Sequence, residues 1–154
     1  MQNIEYRIAN ISDYQQLLDL RWGLVGEYHD IESMNKEEFS IKFMKFLEEE
    51  TGKNYTVFVA TIGNEVISNI YLGILNRTPS PIKDGKSIGY ITNVFTKKEY
   101  RNKGIGGKLM DSVIDYAKND DCEVLFVWPS EGSITYYQRA GFSGENDIMQ
   151  RGLR

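Results

Sequence analysis

Residues 97–108 read KKEYRNKGIGGK, and this stretch limits the fold more than any other. It holds Gly104, Gly106 and Gly107, with five basic residues against one acid. The apolar run IGYITNVFT precedes it and reads as a strand. After it, Ile105, Leu109, Val113, Tyr116 and Ala117 recur at helical spacing, so the glycines fall where a strand turns into a helix. Helix N-termini leave amide N–H groups unpaired and carry partial positive charge. Glycines let an anion approach those amides without a Cβ in the way. The local excess of four positive charges, in a chain whose net charge is −4, points to a small polyanionic ligand. A Gly-rich turn with a solvated basic face is the bland alternative.

Two familiar phosphate motifs fail here. A G-x-G-x-x-G fingerprint starting at Gly104 needs glycine at 109, where Leu109 stands. A P-loop ending in Gly107-Lys108 needs glycine at 102 and Ser or Thr at 109, but the residues are Asn102 and Leu109.

The other elements follow from periodicity. IEYRIA alternates as a strand does. SDYQQLLDLRWGLVGEY reads as a helix with Ser12 and Gln15 spaced as a capping box. A second helix is expected from about Asn35 to Glu50, capped by Asn35 and Glu38. YTVFVATIGNEVISNIYLGIL reads as two strands joined at Gly63-Asn64. NRTPSPIKDGK, marked by Pro79, Pro81 and Gly85, is a long loop of a kind that can cover a site. CEVLFVW reads as a strand buried on both faces, opened by Cys122 as a buried, inert thiol. EGSITYYQRAGF reads as a short helix closed by Gly141, with a final strand beyond it. The expected order is β-α-α-β-β-β-α-β-α-β. This is an α/β fold (an α+β mixed sheet) in one domain spanning 1–154, with antiparallel strands first and a β-α-β crossover after them.

Composition excludes some functions. The hydrophobic and charged fractions, 41% and 26%, are ordinary for a globular chain. The negative net charge gives no reason to expect nucleic acid. A single Cys precludes an intramolecular disulfide and a multi-Cys zinc site, and no metal is expected. No signal peptide or membrane span is read from the sequence, so a cytoplasmic chain with no membrane partner is expected.

YRNKGIGGKLM after TNVFT resembles the coenzyme A-binding signature of the GNAT superfamily of N-acetyltransferases: Arg or Gln, two variable residues, Gly, one variable residue, Gly or Ala. Here it reads Arg101, Asn102, Lys103, Gly104, Ile105, Gly106. SEGSITYYQRAGF resembles the family's late helix, with Tyr137 five residues before Phe142 of Gly141-Phe142. The likeness is strong over residues 88–142 and one of pattern only over 1–75. It implies a GNAT-like single domain with splayed parallel strands. It also implies acetyl-CoA as co-substrate, its pyrophosphate on the amides of Asn102, Lys103, Gly104, Ile105, Gly106 and Gly107, with Arg101 at the loop's start. The pantetheine arm would lie along Val94, Phe95 and Thr96. The Val94 amide would polarise the thioester carbonyl, and Tyr137 would protonate the leaving thiolate. The implied reaction is direct acetyl transfer to a small-molecule or peptide amine, and the likeness leaves room for a homodimer.

The base is less legible. Many members of the family carry a carboxylate on the central strand, where this chain has Asn93. Glu27, His29, Asp30, Glu32 or water are the substitutes. Tyr136 is expected to face away from the site. Ser130 stands where the family often has Asn. Eight acids against three lysines over residues 27–50 suggest an acidic border that attracts a cationic amine, or else a solvated helix face. Trp22, Tyr28 and Trp128 could line the pocket, with core packing as the default. The rivals are a non-catalytic acyl-CoA-binding or sensing module on the same fold, and nucleotide binding at the glycine loop.

Overall fold

The structure is a computed structural model that describes residues 2–82, 86–145 and 148–154. Strand β1 (Ile4–Ile8) leads into a 3-10 turn and helix α1 (Tyr14–Tyr28), then α2 (Lys36–Glu50). The hairpin β2 (Tyr55–Ile62) and β3 (Glu65–Leu75) follows, then β4 (Ser87–Thr96). Helix α3 (Ile105–Asn119), β5 (Cys122–Val127) and α4 (Ile134–Arg139) complete the order. The five strands lie in one sheet in sequence order, antiparallel except for the parallel β4–β5 pair.

Each face of the sheet packs a separate core. Along β2, Phe58 and Ala60 face α3, where Leu109, Met110 and Val113 are buried; Val57 and Val59 face α1 and α2, where Leu17 and Leu47 are buried. This is the period-two alternation of a strand covered on both sides. Gly63 takes φ +56° at the tight turn between β2 and β3.

The capping box starts two residues earlier than the sequence suggests. Asn10 Oδ1 accepts from the Ser12 N–H at 3.0 Å, and Asp13 Oδ2 accepts from the Asn10 N–H at 2.8 Å. The chain enters a 3-10 turn before α1, so Ser12 is already inside the turn. Asp13, nearly fully buried, also accepts two bonds from Arg7, at 2.7 and 2.9 Å. The Arg7 hydrogen bond holds its carboxyl below the usual range, against burial, which raises it. Asn35 caps α2 as expected, accepting from the Glu38 N–H at 2.9 Å.

Several expectations are corrected. Among the described residues no strand follows α4, although residues 146–147 of that expected strand lie outside them. As a result β5 is an edge strand, with Glu123 and Val124 exposed, and is not buried on both faces. Cys122 is half-buried, its thiol donating to the Val124 carbonyl at 3.3 Å. Gly85 lies outside the described residues, and those of the long loop do not line the main cleft.

Candidate active site

The cleft is made by two strands that part company. Parallel pairing joins Ser87–Ile91 of β4 to β5, which ends at Val127. Strand β4 runs on for five more residues to Thr96, paired with β3 but not with β5. Its pairing with β3 shifts register between Asn69–Phe95 and Tyr71–Thr92, so Asn93 and Val94 together oppose Ile70. This is a β-bulge. Asn93 takes φ +49°, a left-handed conformation that Asn tolerates better than most residues. The Asn69 Nδ2 donates to the Asn93 carbonyl at 2.6 Å and holds the bulge.

Beyond the bulge, the Lys97 N–H donates to the Ile67 carbonyl and Phe95 pairs with Asn69. Alternation along an antiparallel ladder then turns the Val94 and Thr96 amides away from β3, towards the gap left by β5. A cleft of about 1320 Å³ opens there. Its walls come from β4, the glycine loop, α4 and the C-terminal half of α1.

The loop is shaped by Asn102 at φ +61° and Gly104 at φ +76°, both left-handed. Gly104 is the N-cap of α3, and its carbonyl accepts from the Lys108 N–H at 3.1 Å. The amides before Lys108 therefore have no carbonyl one turn back to bond. A Cβ at Gly107 would meet open space. At Gly106 it would make ordinary van der Waals contact with Tyr136 at 3.4 Å and with Thr96 Oγ1 at 3.5 Å. The loop is thus bare on the cleft side and firmly backed behind.

Arg101 is engaged within the protein. Its Nε donates to the Thr96 carbonyl at 2.7 Å, its Nη2 lies 3.2 Å from Glu27 Oε2, and its guanidinium stacks over the Phe95 ring. It ties the end of β4 to α1. Lys103 rests over the Tyr100 ring.

The two tyrosines of α4 differ in their commitments. Both line the cleft, so Tyr136 does not face elsewhere. The Tyr136 hydroxyl donates to the Gly106 carbonyl at 2.9 Å, and burial raises it out of reach of titration. Tyr137 is 7% exposed and packs edge-on against Tyr136 and Phe142. Its hydroxyl has no hydrogen-bond partner among the described residues. Burial, aided by the nearby Tyr90, pushes it up to about 12. It is a protonated phenol at neutral pH with its hydrogen uncommitted.

The other candidates separate clearly. None of the acids of residues 27–50 lines the cleft, and the acidic border is not there. Glu27 is paired to Arg101, with Lys98 at 4.0 Å. His29 lines the cleft from the end of α1, and Asp111 is its carboxylate among the described residues. Tyr28 and Trp128 are exposed and line the cleft; Trp22 instead packs on Phe39. Ser130 lines the cleft with its hydroxyl donating to Ser133 Oγ. Two contributors were missed in the sequence: Asn69 behind the bulge, and Arg21, which lines the cleft and reaches Asn93 Oδ1 at 3.4 Å. Arg21 carried a signal, since it interrupts the Leu17–Leu24 stripe of α1 with a charge.

Comparison with known proteins adds the following. The profile of the Acetyltransferase (GNAT) family matches residues 15–142. The crystal structure of a predicted acetyltransferase from Clostridium acetobutylicum with acetyl-CoA superposes with a TM-score of 0.77 at 20% identity, covering 98% of this chain and 97% of that one. An uncharacterised N-acetyltransferase of Methanocaldococcus jannaschii is 29% identical over 72 residues, 45% of this chain and 31% of that protein. The glucosamine 6-phosphate N-acetyltransferase of Trypanosoma brucei brucei is 25% identical over 75 residues, 49% of this chain and 51% of that protein. These matches span about half or less of the curated relatives' lengths.

Proposed function

The chain belongs to the GNAT acetyltransferase family, and on that premise we propose that it transfers an acetyl group from acetyl-CoA to a primary amine by direct attack in a ternary complex. The observation that carries this reading is the unpartnered hydroxyl of the buried Tyr137, in the same cleft as the β4 amides turned away from β3. A module that only bound the carrier would have no use for an uncommitted proton donor there.

In this reading the pyrophosphate rests on the amides from Asn102 to Gly107, where helix geometry leaves donors to spare. The pantetheine arm pairs with Val94 and Thr96 as an added strand would. The amine nitrogen attacks the thioester carbon, and the Val94 amide takes the developing charge on oxygen. The C–N bond forms, the C–S bond breaks, and the electron pair leaves on sulfur, where Tyr137 supplies a proton. The surplus proton on nitrogen passes to water. His29 is the alternative acceptor, since no carboxylate stands on β4.

The missing strand carboxylate favours one second reading, a non-catalytic acyl-CoA sensor. Release of free thiol from acetyl-CoA across an amine panel separates the two; glucosamine 6-phosphate, named for the Trypanosoma relative, belongs in it. Turnover of any amine, reduced roughly 10²–10⁴-fold in Tyr137→Phe with CoA affinity retained, supports the enzyme. Tight CoA binding without turnover supports the sensor.

A further inference from the structure

The acceptor is the open half of the proposed reaction, and Arg21 bears on it. Arg21 sits one turn from Leu17 and Leu24 on the face that α1 turns towards the sheet. It is half-buried, lines the cleft, and has one hydrogen bond, the 3.4 Å contact to the neutral amide of Asn93. A guanidinium carries five N–H donors. Among the described residues no carboxylate stands within 4.0 Å of it. A half-buried charge without a counter-ion is costly, and the described residues supply none.

The rest of the cleft does not change that balance. Arg101 is neutralised by Glu27, while Arg139 and His29 add no negative charge and Asp111 belongs to α3. Arg139 also has no carboxylate partner among the described residues, but it is exposed, so the half-buried uncompensated cation lies at the bulge. Asn93 immediately precedes Val94, and neighbouring residues are about 3.8 Å apart along the chain. An anion held by Arg21 would sit beside the amide where, in the reading above, the amine must arrive.

We propose that Arg21 binds an acidic group of the acceptor, and that the acceptor is a small primary amine that also bears a carboxylate or phosphate. The proposal rests on the acetyl-transfer reading for its setting and is opposite in sign to the cationic acceptor that an acidic border would attract.

The test compares wild type with Arg21→Gln on amino acids, amino-acid esters, an amino-sugar phosphate, its unphosphorylated sugar and a polyamine. Wild type should prefer the acid-bearing amine over its uncharged counterpart. Arg21→Gln should cut that preference roughly tenfold or more, the effect of losing one charged hydrogen bond, with the KM for acetyl-CoA unchanged. Whether the carboxylate or the phosphate series loses its preference identifies the source of the anion. A distorted bulge would lower charged and uncharged acceptors alike and leave their ratio intact, and an intact ratio overturns the proposal. So does a wild-type preference for the polyamine. If CoA binds and no amine turns over, the transfer reading fails, and calorimetry on the CoA complex decides the role of Arg21. Acid-bearing amines bound at least tenfold more weakly by the variant uphold it; equal or absent binding in wild type rejects it.

Discussion

At the scale of single residues, the site depends on which polar groups are committed and which are free. The Tyr136 hydroxyl donates its hydrogen bond to the Gly106 carbonyl, and that of Tyr137 is uncommitted. Because Tyr137 is pushed up to about 12, the acid form persists across the whole working range of pH. The rate should rise with pH as the acceptor amine deprotonates and then level off. A pH profile of kcat/KM should show no descending limb below pH 10; a fall near 9 would give the donor role to another group. Gly107 offers a second residue-level test. A Cβ there has no protein atom within 4 Å, so Gly107→Asp should fold normally, with its charge even favourable at a helix start. Its affinity for CoA, read by calorimetry, should nevertheless drop at least tenfold, because in the proposed pose the new carboxylate would face the phosphates. Gly104, Gly106, Gly107 and Tyr137 were readable from the linear pattern because glycine loops and terminal Gly-Phe pairs are local signals. Arg21 and Asn69 were not, since each acquires its role from a strand far away in sequence. A lone charge within an amphipathic helix ordinarily reads as solvated.

At the scale of elements, the alternation of β2 and the stripe of α3 were legible because burial follows period. Strand β5 was misread for the same reason: an apolar run signals burial only when neighbours exist on both sides, and β5 is an edge. Where β4 and β5 do pair, the fit is close. A Cβ at Gly89 would strike Leu125 and lie 3.0 Å from Leu72 and 3.2 Å from the Cys122 sulfur. Gly89→Ala should therefore cost about 1–3 kcal/mol in denaturant unfolding. The join between β1 and α1 depends on Asp13. Its folded pKa lies below its unfolded one, so its contribution is complete above about pH 4 and is lost as pH falls further. Asp13→Asn should cost about 2 kcal/mol at neutral pH, less than a fully buried pair because Arg7 is 26% exposed. The difference from wild type should shrink when unfolding is measured in acid.

At the scale of the whole molecule, no helix among the described residues is long and apolar enough to cross a membrane. The cleft is a wedge in the five-stranded sheet, so a carrier bound along β4 would act as an inserted strand. Acetyl-CoA at a hundred times its Kd should stabilise the domain by about 2.7 kcal/mol. A rise in Tm together with slowed amide exchange at residues 92–96 would show this; a rise without that protection would put the carrier elsewhere. The bond from Tyr136 to Gly106 has a consequence at this scale too. It clamps the glycine loop to the helix that carries Tyr137, so the span between them belongs to the protein and not to its guest. In the proposed reading the domain works as a gauge: an acetyl donor with a shorter tether, held by its phosphate, would leave its acyl carbon stranded short of the bulge.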